Sequence, residues 1–296
     1  LKAPRLKDEG LGPNFWKSRT DNMKKTKLPI SLRFARKTFL GNQLGFMNRI
    51  YGNSLAKKGV SWVETAPGAI WKVDLSNPCH RWMVYGDYAD PGFLAWARTS
   101  VPEDGVVVDS GSNIGQFLPY FSNIVSSGRI LSFEPSSYCT EWIEECLGQN
   151  EGMPVEQIQK GLGDEQGVFT LANQDGAHGL WGRVSQKNDS VQEGEEIEVV
   201  TLCSALSSRG VEHVDLWKLD VEGFELQALK GAESLLAENR IGALYVELSA
   251  ENRRADVDYL QSFNYIPYRP RRSGKLKEIK THPAEEIDAL FLPVHE

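Results

Sequence analysis

Three short stretches of this 296-residue chain carry residues whose types and spacing suit chemistry at a bound ligand. In the first, Val108-Asp109-Ser110-Gly111-Ser112-Asn113-Ile114-Gly115-Gln116-Phe117, an apolar run ends in an acid and passes into a glycine turn. Gly111 and Gly115 let a backbone turn tightly and approach a ligand, and the helix expected next offers free N–H groups. Dinucleotide sites use G-x-G-x-x-G, whose second glycine clears room for a pyrophosphate. Asn113 stands at that place here, and Asp109 would repel a pyrophosphate while suiting an ammonium group and a sulfonium. The second stretch, Leu131-Ser132-Phe133-Glu134-Pro135-Ser136, puts Glu134 at a strand end, placed to accept hydrogen bonds from both hydroxyls of a ribose. The third runs from Asp215 to Glu225. Asp220 and Glu222 fall at the carboxyl end of a strand, the edge where open α/β sheets bind ligands, and Glu225 reads as a first-turn acid complementing a helix dipole.

These stretches need a parallel sheet to bring them together. From Gly105 onward, short apolar runs alternate with helical patterns, which is the appearance of βα units. Strands are expected at 106–109, 130–134, 155–159, 214–220 and 243–248, with a closing antiparallel pair at 265–268 and 288–292 around 269–280. Extra strands at 167–172 and 196–202 bracket a glycine-rich loop. A helix from the glycine turn to about Ser122 tolerates Pro119 only in its first turn. Another spans Ser137–Leu147. The pattern from Phe224 to about Glu238 predicts one helix with Leu226, Leu229, Ala232 and Leu236 on its buried face. The fold class that follows is α/β, doubly wound, with a mostly parallel seven-stranded sheet and an N-terminal extension.

The segments Asp109–Gly115, Phe133-Glu134-Pro135, Lys218-Leu219-Asp220-Val221-Glu222-Gly223-Phe224-Glu225, Leu229–Ala232, Tyr245-Val246-Glu247 and Asp288–Pro293 together resemble the FkbM methyltransferase family. The likeness covers about residues 105–293. It departs from the family habit at Ser110-Gly111-Ser112 and at Cys203, where an acid is more usual. The resemblance implies S-adenosylmethionine as cofactor and a hydroxyl of a carbohydrate, glycolipid or related natural product as acceptor. Cofactor-binding positions are then Asp109, Ser110, Gly111, Ser112, Asn113, Gly115, Phe117, Glu134, Pro135, Ser136, Leu162 and Asp220. Methyl transfer is an in-line displacement, so the acceptor must be oriented and its proton removed. Asp220, Glu222, Glu247 and His178 are the candidates for the base; His178 lies in the loop with Trp181, which could stack on a sugar. No residue cluster suggests a metal, and metal-free transfer is the expectation.

Charge divides the chain. Residues 1–40 hold eleven Lys and Arg against three acids, a net +8 on a chain of net −7, which leaves −15 on the rest. We expect three parts: a basic arm (1–40), a cap rich in glycine and aromatics (41–100) and a methyltransferase domain (101–296). Five of the eight tryptophans (Trp16, Trp62, Trp71, Trp82, Trp96) fall in the first hundred residues, where packing of the cap outweighs a groove for the acceptor. The arm is read as a solvated tail, with contact to an anionic glycan or membrane surface as its functional alternative; nucleic acid is disfavoured, and a homo-oligomer stays open. The cations at Arg269, Arg271, Arg272, Lys275 and Lys277 read as a solvated hairpin tip. No apolar run reaches the roughly 18 residues of a membrane span, so a cytoplasmic location is the default expectation, and the four cysteines read as reduced thiols. The competing readings are a nicotinamide-dependent oxidoreductase and a non-catalytic binding module.

Overall fold

The computed structural model describes residues 17–18, 25–36, 43–86, 91–173, 182–186, 194–249, 253–281 and 287–294. Before the main sheet come helices α1 (Ile30–Ala35) and α2 (Gln43–Ala56), a hairpin of β1 (Val60–Glu64) and β2 (Ile70–Asp74), and helices α3 (Pro78–Tyr85) and α4 (Pro91–Ser100). Then follow β3 (Val106–Ser110), α5 (Leu118–Ile124), β4 (Arg129–Phe133), α6 (Ser137–Leu147) and β5 (Val155–Ile158). Pro119 sits in the first turn of α5, the place where its missing N–H costs nothing. Ser136 caps α6 and Thr201 caps α7 (Leu202–Ser207).

A separate four-stranded sheet is built from β6 (Gly161–Leu162), β7 (Gly167–Asn173), β8 (Gly182–Gln186) and β9 (Gly194–Val200). The chain returns to the main sheet through β10 (Leu216–Leu219), α8 (Glu225–Lys230), α9 (Glu233–Ala237), β11 (Leu244–Leu248), α10 (Arg253–Ser262), β12 (Tyr265–Pro270), β13 (Leu276–Glu278) and β14 (Ile287–Pro293).

The main sheet has the order β13-β12-β14-β11-β10-β3-β4-β5. Strands β11, β10, β3, β4 and β5 are parallel, and β14, β12 and β13 close one edge antiparallel. Seven strands are those expected from the sequence. The eighth is the three-residue β13, which pairs with β12 through Tyr268, Arg269 and Pro270 inside the segment read as a connecting tip. The chain winds outward from β3 to β5, then returns beside β3 with β10. The strand order therefore reverses between β3 and β10, and such a switch point leaves a crevice at the carboxyl ends.

Both faces are buried, as a parallel sheet requires. Residues of one strand alternate between two apolar clusters: Val107, Ile130, Leu216 and Tyr245 on one face, Val108, Leu131, Trp217 and Val246 on the other. The first face is covered by α5, α6 and side chains of the first hundred residues, among them Leu32, Met47, Trp71, Tyr85 and Phe93. Trp62 and Trp82 pack on this cluster from its edge. Phe93 lies flat on Tyr245 of β11, ring centroids 3.7 Å apart. Trp16 lies outside the described residues. The helix expected over 224–238 is two helices, parted at Gly231, where a Cβ would stand 2.0 Å from the carbonyl oxygen of Gly163. The buried face is formed by Glu225, Ala228, Leu229, Ala232, Leu235 and Leu236, with Leu226 only half-buried. Among the described residues no helix is long and apolar enough to cross a membrane.

Trp71 joins the N-terminal hairpin to the glycine turn. It is fully buried, its indole N–H donates to the Ile114 carbonyl at 2.7 Å, and its ring lies against Gly115. Trp71→Ala should lower unfolding stability by about 3–5 kcal/mol in chemical denaturation, the usual cost of emptying an aromatic core site. A loss below about 1 kcal/mol would mean that the hairpin does not brace the turn.

Candidate active site

A cleft opens at the switch point, where β3 and β10 are adjacent with Asp109 in register with Lys218 and Ser110 with Leu219. Its wall contains Asp109, Ser110, Gly111, Ser112, Asn113, Phe117, Glu134, Pro135, Leu162, Asp220, Glu222 and Glu247, all inferred from the sequence. Gly115 and Ser136 are not on the wall. Gly115 packs against Trp71, and Ser136 caps α6, so both support the site from behind. His178 and Trp181 lie outside the described residues.

The glycines hold this turn for a reason the sequence does not display. Gly111 has φ +73°, and a Cβ there would fall 1.8 Å from the Asp220 carbonyl oxygen. The space a side chain would need is thus taken by the protein's own backbone, from the neighbouring strand end, while Gly111 itself lies on the cleft wall. Serine hydroxyls lock the turn in place: Ser112 donates to the Asp109 carbonyl at 3.0 Å, Ser132 donates to Ser112 at 2.7 Å, and Ser110 accepts from the Trp217 indole at 2.7 Å. Asn113, at φ +52°, gives its N–H to Glu134 Oε2 at 2.8 Å, and Ser136 gives its N–H to Oε1 at 3.0 Å. Each carboxylate oxygen of Glu134 keeps a lone pair for a further donor.

Asp109 is buried, and neither of its carboxylate oxygens meets hydrogen-bond geometry with a described residue, since the nearby Ser112 hydroxyl turns to the Asp109 carbonyl. Burial pushes its carboxyl up to about 6, against the pull of Lys218 and with the push of Asp220. Glu134 rises to about 7, again chiefly by burial. An orphaned buried carboxylate is costly unless a cation arrives to pair with it.

Lys218, which sequence reasoning passed over, stands in the middle of this wall. Its ammonium donates to Asp220 Oδ2 at 2.9 Å and lies 4.9 Å from the centre of the Phe117 ring. Burial works against its charge, but Asp220 and Asp109 outweigh burial and hold the ammonium above the usual lysine range. The signal in the sequence was a lone lysine within the apolar strand Leu216-Trp217-Lys218-Leu219, a place that charges occupy only when paired. Glu247, across from Asp288 in the β11–β14 register, is driven well above the carboxylate range by burial and by Asp220, Glu222 and Asp288. It therefore keeps its proton at neutral pH and shares a hydrogen bond with Asp220.

Glu225 stands in the first turn of α8, as expected, and does more there than complement the dipole. It is fully buried, and its Oε1 accepts the N–H groups of both Val221 and Gly223 at 3.0 Å. This ties down the tight turn in which Glu222 takes φ +54° at the rim of the cleft.

The whole wall presents five acids (Asp109, Glu134, Asp220, Glu222, Glu247) and two lysines (Lys160, Lys218), with Lys160 paired to Glu198 at 2.7 Å. A cleft of that charge favours a cation and disfavours a pyrophosphate. A doubly wound sheet closed by an antiparallel edge, with this cleft at its switch point, defines a Rossmann-like methyltransferase. The chain belongs to the FkbM methyltransferase family, whose domain matches residues 109–269. The family uses S-adenosylmethionine, and the orphaned Asp109 fits its ammonium or sulfonium charge.

Among relatives, the chain is 28% identical over 162 residues to methyltransferase sdnD of Sordaria araneosa, covering 45% of this chain and 62% of that protein. It is 26% identical over 188 residues to 2-O-methyltransferase NoeI of Sinorhizobium fredii (strain NBRC 101917 / NGR234), covering 57% and 76%. A solved FkbM methyltransferase from Methylobacillus flagellatus KT shares 16% identity at TM-score 0.43, over 83% of this chain and 58% of that one.

The raised acids give stability a definite pH dependence. The folded chain holds a proton on Asp109 up to about 6, whereas the ordinary value is 3.8, so the folded state binds more protons in between. Stability must fall as pH rises through that window, and Glu134, raised from 4.5 to about 7, extends the fall. Asp109→Asn should therefore stabilise the unliganded protein by roughly 1–3 kcal/mol at pH 7.5 while weakening cofactor binding. Melting curves of both proteins from about pH 5 to pH 8 check this; equal stability at every pH would remove the buried-charge account of Asp109.

Proposed function

We propose that the protein is an S-adenosylmethionine-dependent O-methyltransferase acting on a hydroxyl of a carbohydrate, glycolipid or related natural product. The observation that carries the reading is the orphaned Asp109 carboxylate in an acid-lined cleft at the switch point. The name of NoeI, a 2-O-methyltransferase, supports oxygen as the acceptor atom. S-adenosylmethionine, when bound, supplies a methyl group on a cationic sulfur. Asp109 would face the positive charge and Glu134 would accept from the ribose hydroxyls, with Leu162 and Phe117 forming apolar wall beside them.

The acceptor's proton goes to Asp220 in this reading. Lys218 orients that carboxylate from one side, and the protonated Glu247 hydrogen-bonds to it from another. Glu247, held well above the carboxylate range by burial and by the surrounding acids, serves here as a hydrogen-bond donor that aims Asp220 rather than as the primary base. Glu222 stands at the same rim and completes the negative edge facing the reacting hydroxyl. Five acids on the wall weigh against the nicotinamide reading, because a pyrophosphate would meet repulsion there.

A transfer assay with methyl-labelled cofactor against a panel of neutral glycans separates these roles. Asp220→Asn should lower kcat by about 10²-fold or more, the scale of losing a general base. Glu247→Gln keeps a neutral hydrogen-bonding group and should stay within about tenfold of the parent at pH 7. Equal losses in the two variants would transfer the base role away from Asp220, and label arriving only on nitrogen would overturn O-methylation.

A further inference from the structure

We propose that the outward faces of α1 and α2 form a docking surface for an anionic lipid bilayer. Residues 22–63 contain nine Lys and Arg and no Asp or Glu, so the remaining residues hold a net −16 to bring the chain to −7. The same stretch carries five of the eight large apolar side chains exposed among the described residues: Ile30 (74% exposed), Phe34 (70%), Phe46 (50%), Ile50 (52%) and Val60 (56%). Scattered exposed apolar residues need no explanation, but their concentration in one acid-free segment does.

The helices explain why these side chains face outward. On α1, Leu32 is buried in the core cluster, which leaves Ile30 and Phe34, four residues apart, on the opposite side, with Arg33 beside them ion-paired to Glu64 at 3.3 Å. On α2, Met47 and Leu55 are buried, and the outward stripe reads Phe46, Arg49, Ile50, Asn53, followed by Lys57 just past the helix end. Each helix is anchored by an apolar face and yet presents a second apolar pair set among cations. A helix that only needed solvation would carry polar residues there. The two segments are physically linked, because Lys58 donates to the Lys27 carbonyl at 3.2 Å.

This composition matches a bilayer interface better than other partners. Apolar tips enter the boundary between headgroups and acyl chains, while lysine and arginine stay at the level of the anionic headgroups. Nucleic acid would use the cations but leave Ile30 and Ile50 without a role. A second copy docked through the same face would set cation against cation. The inference is independent of methyl transfer, since it concerns a surface that shares no residue with the cleft.

The test is co-sedimentation of the full chain with vesicles of phosphatidylcholine alone and of phosphatidylcholine mixed with phosphatidylserine. Binding to the mixed vesicles, weakened by salt, is expected. The variant Ile30→Ser/Phe34→Ser/Phe46→Ser/Ile50→Ser changes only exposed positions and should keep the parent's melting temperature while partitioning at least about tenfold less. Arg49→Glu/Lys57→Glu should abolish the preference for phosphatidylserine. The proposal is overturned if the parent ignores both vesicles, if the serine variant binds as well as the parent, or if the serine variant turns a dimeric parent into a monomer.

Discussion

A lysine buried between strand ends, with a carboxylate in register on the next strand and another two residues along its own, is the interaction on which this structure turns. Lys218 is committed to Asp220 at 2.9 Å, so Asp109 feels its field without receiving a hydrogen bond. Burying such charges is expensive, and removing one partner from a buried pair leaves the other uncompensated. Here the imbalance is built in: the wall holds more negative than positive groups, and the deficit is met by protons on Glu247 and, below neutral pH, on Glu134 and Asp109. A cation that enters the cleft replaces the protons on Asp109 and Glu134, while Glu247 keeps its own.

The surrounding structure keeps that imbalance in place. The glycine turn is locked by the serine hydroxyls and by Trp71, Glu134 is fixed by two backbone N–H groups, and Glu225 holds the turn that presents Glu222. From the N-terminal side Phe93 stacks on Tyr245 and meets edge-on the ring of Phe117, which in turn stacks on Phe121. The described part of the first hundred residues thus shares a core with the sheet. Their contribution to the site is rigidity, because none of their described residues reaches the cleft wall.

Much of this was legible in the sequence because local pattern and global fold agree. The main strands are short apolar runs bounded by turns, and Pro119 could belong to a helix only at its start. Asp109, Glu134 and Asp220 could be placed because an acid at the carboxyl end of a buried strand has few other uses. What was not legible depended on contacts distant in sequence. The glycine at 231, where the two helices part, is required by the Gly163 carbonyl some seventy residues earlier, and Gly111 is required by the Asp220 carbonyl. Lys218 was hidden inside an apolar strand, since beyond the neighbouring Asp220 its partners Asp109 and Asp288 come from two other strands of the sheet. Glu225 sat where a solvated helix acid belongs, and only its two backbone bonds reveal a buried role.

The central claim is that Asp109 and Glu134 are carboxyls waiting for a cationic nucleoside ligand. Calorimetric titration of the protein with S-adenosylmethionine at pH 6, repeated in buffers of differing ionisation enthalpy, counts the protons exchanged on binding. The account predicts release of about half a proton or more, because a cation beside carboxyls that titrate near 6 and 7 must drive their protons off. Binding with no proton release, or tighter binding of NAD than of S-adenosylmethionine, would contradict it.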